Sequence, residues 1–204
     1  MKKIDLRKDL KPFYNPSSVR AELVELPPMN FIMVDGRGDP NTSEAYRNSI
    51  EVLYNLSYTL KFAIKKEEGV DYPVMALEGL WSAPEGVPFA ASDRANWSWT
   101  SMILQPVCVT DGWFRKAKEM VKAKKELPLL DSARLEEFAE GLSAQILHVG
   151  PYSAEAPTIQ RLHDFIREKG FMARGRHHEI YLGDPRRSAP ERLRTIIRQP
   201  VTHS

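Results

Sequence analysis

The sequence predicts an α+β fold, made of two pseudo-twofold-related strand–helix–strand–strand modules whose antiparallel sheets form a central ligand cleft. Three observations predict it. Short apolar runs alternate with longer segments of helical period. Gly/Pro turns punctuate the two halves at matching places. Two stretches can also be laid over each other: strand–MN–FIMVDGRGDPN–helix and strand–EG–LSAQILHVGPYS–helix.

Each element follows in order. Residues 20–26 (RAELVEL) alternate as a strand and stop at Pro27-Pro28. Residues 31–35 (FIMVD) are a short apolar strand closed by the turn GRGDPN. A helix opens at Asn41-Thr42-Ser43-Glu44; Ile50, Leu53, Tyr54, Tyr58, Leu60 and Phe62 recur at helical spacing, and lysines followed by Gly69 end it. Residues 73–81 (PVMALEGLW) and 97–105 (WSWTSMILQ) are strands around the Pro/Gly/Ala-rich loop 82–96. Residues 111–126 are an amphipathic helix with an Asp start. Strands follow at 133–138 and 142–149, the second closing on Gly150-Pro151-Tyr152. A helix over 154–169 ends at Gly170, and strands at 176–182 and 192–199 flank the turn GDPRRSAP. On this pattern residues 1–204 form one domain, duplicated internally over about 20–108 and 130–201, with 111–126 as the connector helix.

Composition narrows the function. The chain has 204 residues, 42% of them hydrophobic, and a net charge of 29 − 27 = +2. That balance excludes disorder driven by charge and a nucleic-acid binder that relies on bulk charge. A single cysteine, Cys108, leaves no intrachain disulfide and no zinc-finger spacing; between two valines it is expected as a small buried hydrophobe. Charges interrupt the first 14 residues, so no signal peptide is expected, and no stretch nears the ~18 apolar residues of a membrane span. The expectation is a soluble cytoplasmic protein without nucleic-acid or membrane partners. Lys116, Lys118, Lys122, Lys124 and Lys125 read as a solvated face of the connector helix.

No phosphate loop, dinucleotide fingerprint, zinc-protease or nucleophile-elbow motif is present. His177-His178-Glu179 invites a metal, but strand alternation leaves at most two ligands on one face, where catalytic zinc takes three. No metal and no cofactor are therefore expected, with one histidine buried and one exposed. Glu179 and Tyr181 share a strand face, opposite Ile180 and Leu182. If that face lines a cleft, its carboxylate suits cationic aromatic ligands or acid–base work; otherwise Glu179 faces water or pairs with Arg174 or Arg176. Both readings stay open at this point. Aromatic residues are the second signal. Trp97 and Trp99 sit two apart on a strand, Trp81 ends the neighbouring one, Tyr54 and Tyr58 share a helix face, and Tyr152 lies in the GPY turn. As a set around a cleft they would stack on flat aromatic small molecules; singly, each serves equally well as core.

Five segments carry a resemblance: FIMVDGRGDPN, ALEGLW, WSWTSMILQP with VCVTDG after it, ILHVGPYSAEAPTI, and HHEIYLGDPRRSAPERLRTIIRQPV. Across roughly residues 1–201 the chain resembles the GyrI-like small-molecule-binding family, in its stand-alone branch without a DNA-binding domain. The resemblance implies the paired modules described above. The family includes effector domains of multidrug-responsive transcription regulators and stand-alone proteins that sequester toxins, and a cleft glutamate there contacts cationic aromatic drugs; the matching position is Glu179. Many members carry a second acid after the threonine of the last strand, where Ile196 follows Thr195 here. That departure favours neutral flat ligands. The branch also includes cyclopropanoid cyclopropyl hydrolases, which open a cyclopropane with water in an aromatic cage. By position Trp81, Trp97, Trp99 and Tyr181 would form the cage, with Glu179 and Tyr181 catalytic. The function so implied is detoxifying hydrolysis of flat aromatic DNA alkylators; the alternative is a non-catalytic multidrug-binding, sequestering or ligand-sensing protein.

Overall fold

The structure, a computed structural model, describes residues 1–84, 87 and 93–203. Residues 85, 86 and 88–92 of the expected loop 82–96 lie outside the described residues. In chain order the elements are β1 (Lys2–Lys3), α1 (Leu6–Asp9), α2 (Lys11–Tyr14), β2 (Glu22–Leu26), β3 (Met29–Arg37), α3 (Glu44–Glu68), β4 (Val70–Asp71) and β5 (Leu77–Ser82). They continue with β6 (Ser98–Leu104), α4 (Asp111–Lys122), β7 (Arg134–Phe138), β8 (Gly141–Val149), α5 (Ala156–Glu168), β9 (Phe171–Ala173), β10 (His177–Tyr181) and β11 (Arg194–His203). The runs β3–α3–β5–β6 and β8–α5–β10–β11 have the same strand–helix–strand–strand order, so the α+β fold class stands. The chain divides into two units, residues 1–9, 29–75 and 81–138 in the first and 10–28, 76–80 and 139–204 in the second.

In the first unit β3 lies between β6 and β7, antiparallel to both, with Ile32 opposite Ile103 and Leu135. Helix α3 begins where the Ser43 side chain accepts from the Tyr46 N–H, and ends where Gly69 turns left-handed at φ 68°. Val52, Leu53, Leu56, Leu60 and Ile64 form its buried stripe, which packs on β3 and β6. Helix α4 starts under the Thr110 cap and buries Phe114, Ala117 and Val121 against α3. Gly36 of β3 is required by packing, because a Cβ there would sit 2.2 Å from the Trp99 ring.

In the second unit the antiparallel order is β2–β8–β11–β10, with residues 77–80 of β5 beyond β10 and β9 pairing the far end of β11. Leu162 and Ile166 of α5 pack into Ala144, Ile146, Ile197 and Val201. The strand at the head of each repeat pairs into the other repeat's unit: β2 joins β8, and β7 joins β3.

Several boundaries differ from expectation for local reasons. Trp97 lies outside the strand, ending a 3-10 turn (Arg94–Asn96) capped by Asp93. Residues Tyr152–Ala154 form another 3-10 turn, so α5 starts at Ala156. His177 and His178 are both buried, not one of the two, because β10 has side chains packed on each face. Cys108 is only half-buried, since the backbone turns at Pro106 and pushes Val107 into solvent. Burial nevertheless pushes its thiol pKa up, away from the reactive thiolate. Among the described residues no helix is long and apolar enough to cross a membrane.

Candidate functional site

Strand alternation puts His177, Glu179 and Tyr181 on one face of β10, and the structure links them. His177 Nε2 donates to Glu179 Oε1 at 3.1 Å, and the Tyr181 hydroxyl donates to Oε2 at 2.7 Å. The register extends the face: Glu179 stands opposite Ile197, Tyr181 opposite Thr195, and Thr195 opposite His148. Because Ile197 packs under α5, this is the face that carries α5. His148 is held there by Thr158 and the Pro151 carbonyl, and the Tyr152 ring meets Tyr181 edge-on at 5.6 Å. Thr195 is buried with a hydroxyl that has no partner among the described residues.

The surroundings of Glu179 favour its charged form. Its side chain is 15% exposed, and burial alone would raise its pKa. The hydrogen bond and charge of His177, with the Tyr181 hydroxyl, outweigh burial and hold the carboxyl below its ordinary range. Glu179 is thus a carboxylate, able to accept a proton or attract a cation. Of the two arginines considered as partners for Glu179, Arg174 binds the carbonyls of Val201 and Glu140 instead.

The tryptophans cluster in the first unit around a residue the sequence did not single out. Tyr46 meets Trp99 at 5.1 Å and Trp81 at 5.5 Å, and Trp97 meets Trp81 edge-on at 5.8 Å. The available signal was the Ser43 cap, which places Tyr46 in the first turn of α3. Trp81 and Trp99 are buried, Trp97 half-buried with the Arg94 guanidinium 5.5 Å over its ring. The indole N–H groups of Trp81 and Trp99 meet no acceptor among the described residues, although a buried indole normally finds one. Tyr54 stacks on Tyr58, and Tyr58 on Phe62.

The family model of the GyrI-like small molecule binding domain matches residues 21–202. This chain belongs to the GyrI-like family. The GyrI-like chain is also similar to an uncharacterized conserved protein from Listeria innocua, at 39% identity and a TM-score of 0.89 over 98% of this chain and 100% of that one. Two structures called hydrolases, also from Listeria innocua, give 38% and 37% identity with TM-scores of 0.87 and 0.85, each over the same shares. Among curated proteins, none matches.

The GyrI-like chain carries a second polar constellation on the other face of β10, which the sequence did not reveal. His178 Nδ1 lies 2.9 Å from Glu140 and Nε2 lies 3.0 Å from Glu78. Two carboxylates facing both ring nitrogens call for an imidazolium. Burial pushes His178 down, but Glu140 and then Glu78 outweigh it, and the pKa is raised. Burial pushes Glu140 up, but His178 and Arg198 outweigh it and hold the carboxyl at about 2. Tyr14 donates to Glu78 at 2.6 Å, and Arg198 binds Glu140, Gln145 and the Phe13 carbonyl. These residues are scattered from 14 to 198, so no spacing could have announced them.

Proposed function

We propose that this GyrI-like protein binds flat aromatic small molecules and hydrolyses those that carry a strained cyclopropane conjugated to a dienone. The observation that carries the reading is the buried, ionised Glu179 held between His177 and Tyr181. A water would add to the ring methylene while Glu179 takes its proton. The electron pair of the breaking ring bond moves through the dienone to its oxygen, which is protonated to a phenol. The product is the ligand plus one water. A fixed carboxylate is a suitable general base, and Tyr181, with Tyr152 packed on it, orients that carboxylate. Likeness to two structures called hydrolases supports a hydrolytic reading.

One observation favours a second reading. Both Glu179 oxygens are already engaged, which suits a charge that attracts a ligand without reacting. That protein would sequester flat drugs unchanged. Incubation with a cyclopropane-bearing indole-class DNA alkylator, followed by mass spectrometry, separates the two. Catalysis gives ligand heavier by one water over many turnovers, lost in Glu179→Gln. Bound but unchanged ligand would refute the hydrolase and leave sequestration.

A further inference from the structure

Helix α3 buries one stripe and exposes another. Tyr54, Tyr58 and Phe62 recur every four residues, so their rings rise one above another. They stack with centroids 6.3 and 6.2 Å apart and planes tilted by 27° and 21°. Tyr58 is 47% exposed and Phe62 59%. An exposed aromatic ladder is unusual on a helix whose core contacts are already complete, and contiguous apolar surface of this kind marks binding sites. The ladder walls a groove of about 450 Å³ between α3 and α4, with Met120 on the other side. That volume lies in the range of small-ligand sites.

Charge decides the ligand. The groove is also lined by Lys66 and Lys124. Neighbouring lysines have acid partners: Lys61 and Lys65 bind Asp71, Lys116 binds Glu67, and Lys125 binds Glu51. Among the described residues, the Lys66 and Lys124 ammonium groups meet none. Three flat rings beside two uncompensated cations complement a flat ring that carries an anion. We propose that the α3–α4 groove of the first unit is a separate binding site for small aromatic anions, such as arene sulfonates or carboxylates. It stands apart from the Glu179 reading and has the opposite charge preference, since a carboxylate disfavours the ligands that the two lysines attract.

Calorimetric titration of the intact protein tests this with three naphthalene probes: 2-naphthalenesulfonate, neutral 2-naphthylmethanol, and (2-naphthylmethyl)trimethylammonium. The sulfonate should bind at least about tenfold tighter than the alcohol (~1.4 kcal/mol), and the cation weakest. Added salt should weaken the sulfonate alone. The pair Lys66→Glu/Lys124→Glu should reverse the order of sulfonate and cation, and Tyr58→Ala should weaken all three. Glu179→Gln should leave sulfonate binding unchanged, so the failure of one site is distinguishable from that of the other. Tyr58, Lys66 and Lys124 are surface side chains, and circular dichroism verifies the folding of every variant, the buried Glu179→Gln included. Equal affinity for sulfonate and alcohol, or sulfonate binding indifferent to the charge reversal, would overturn the proposal. So would sedimentation showing a dimer that Tyr58→Ala dissociates, because the ladder would then be covered by a second copy.

Discussion

Replacing Arg198 with methionine probes the buried network most directly. The guanidinium is 1% exposed and makes bonds to Glu140, to Gln145 and to the Phe13 carbonyl. Methionine keeps most of the length and none of the donors. Glu140, 3% exposed at its side chain, would keep His178 alone as a cationic side-chain partner among the described residues. Removing one member of a buried ion pair costs about 3–5 kcal/mol, chiefly because the remaining charge stays desolvated. Against a total stability of ~5–15 kcal/mol, that is a large share. At ~2–4 °C per kcal/mol for a chain of this size, melting should fall by about 6–20 °C. Urea denaturation and calorimetry read both numbers. The double variant Arg198→Met/Glu140→Gln should recover part of the loss, since it neutralises the stranded carboxylate. A single variant within ~1 kcal/mol of the parent, or a double variant no better than the single, would refute the network as a coupled unit.

Three further outcomes are expected. Glu179→Gln should lower any ring-opening rate by ~10²–10⁴-fold, and the parent rate should hold steady above about pH 4.5, because the carboxyl pKa is lowered; a rate that falls as pH rises through that range would make Glu179 the acid instead. Stability should peak between about pH 4.5 and 6.5. Glu140, lowered from 4.5 to about 2, contributes fully above 4.5 and loses its contribution as pH falls, whereas His178, raised above 6.5, contributes fully below 6.5 and loses its contribution as pH rises through its folded value; urea midpoints across pH 3–9 would show it, and a midpoint flat to pH 9 would count against it. Gly36→Ala should destabilise by ~1–3 kcal/mol or more, because its Cβ enters the Trp99 ring, and Gly36→Ala/Trp99→Leu should recover part of that.

The longer elements were legible because each is encoded locally. The Ser43 cap and Gly69 stop bound α3; the segment GRGDPN begins in the last two residues of β3 and turns at Gly38, and GDPRRSAP lies between β10 and β11. Alternation within five residues placed Glu179 and Tyr181 on one face and His178 on the other, and the structure has them so. The short elements β1, α1, α2, β4 and β9 escaped notice, because two to four residues carry no period. Tyr54 and Tyr58 show the limit of helical spacing: it put them on one face but could not say which neighbours that face meets. Tyr58 stacks on Phe62, whereas Trp81 and Trp99 meet Tyr46.

By itself, the sequence determined the repeated strand–helix–strand–strand order, the β10 carboxylate and its phenol, and the aromatic residues from which stacking surfaces could come. Those features depend on period, caps and turns, which are interactions between residues close in the chain. Tertiary structure decided the pairing of β2 with β8 and of β7 with β3. It also decided that Glu179 answers to His177 rather than to water, and that Tyr14, Glu78, Glu140, His178 and Arg198 meet in one buried network. Those outcomes depend on desolvation and on partners up to 185 residues apart, as from Phe13 to Arg198, and burial of that kind exists only once the sheet has formed.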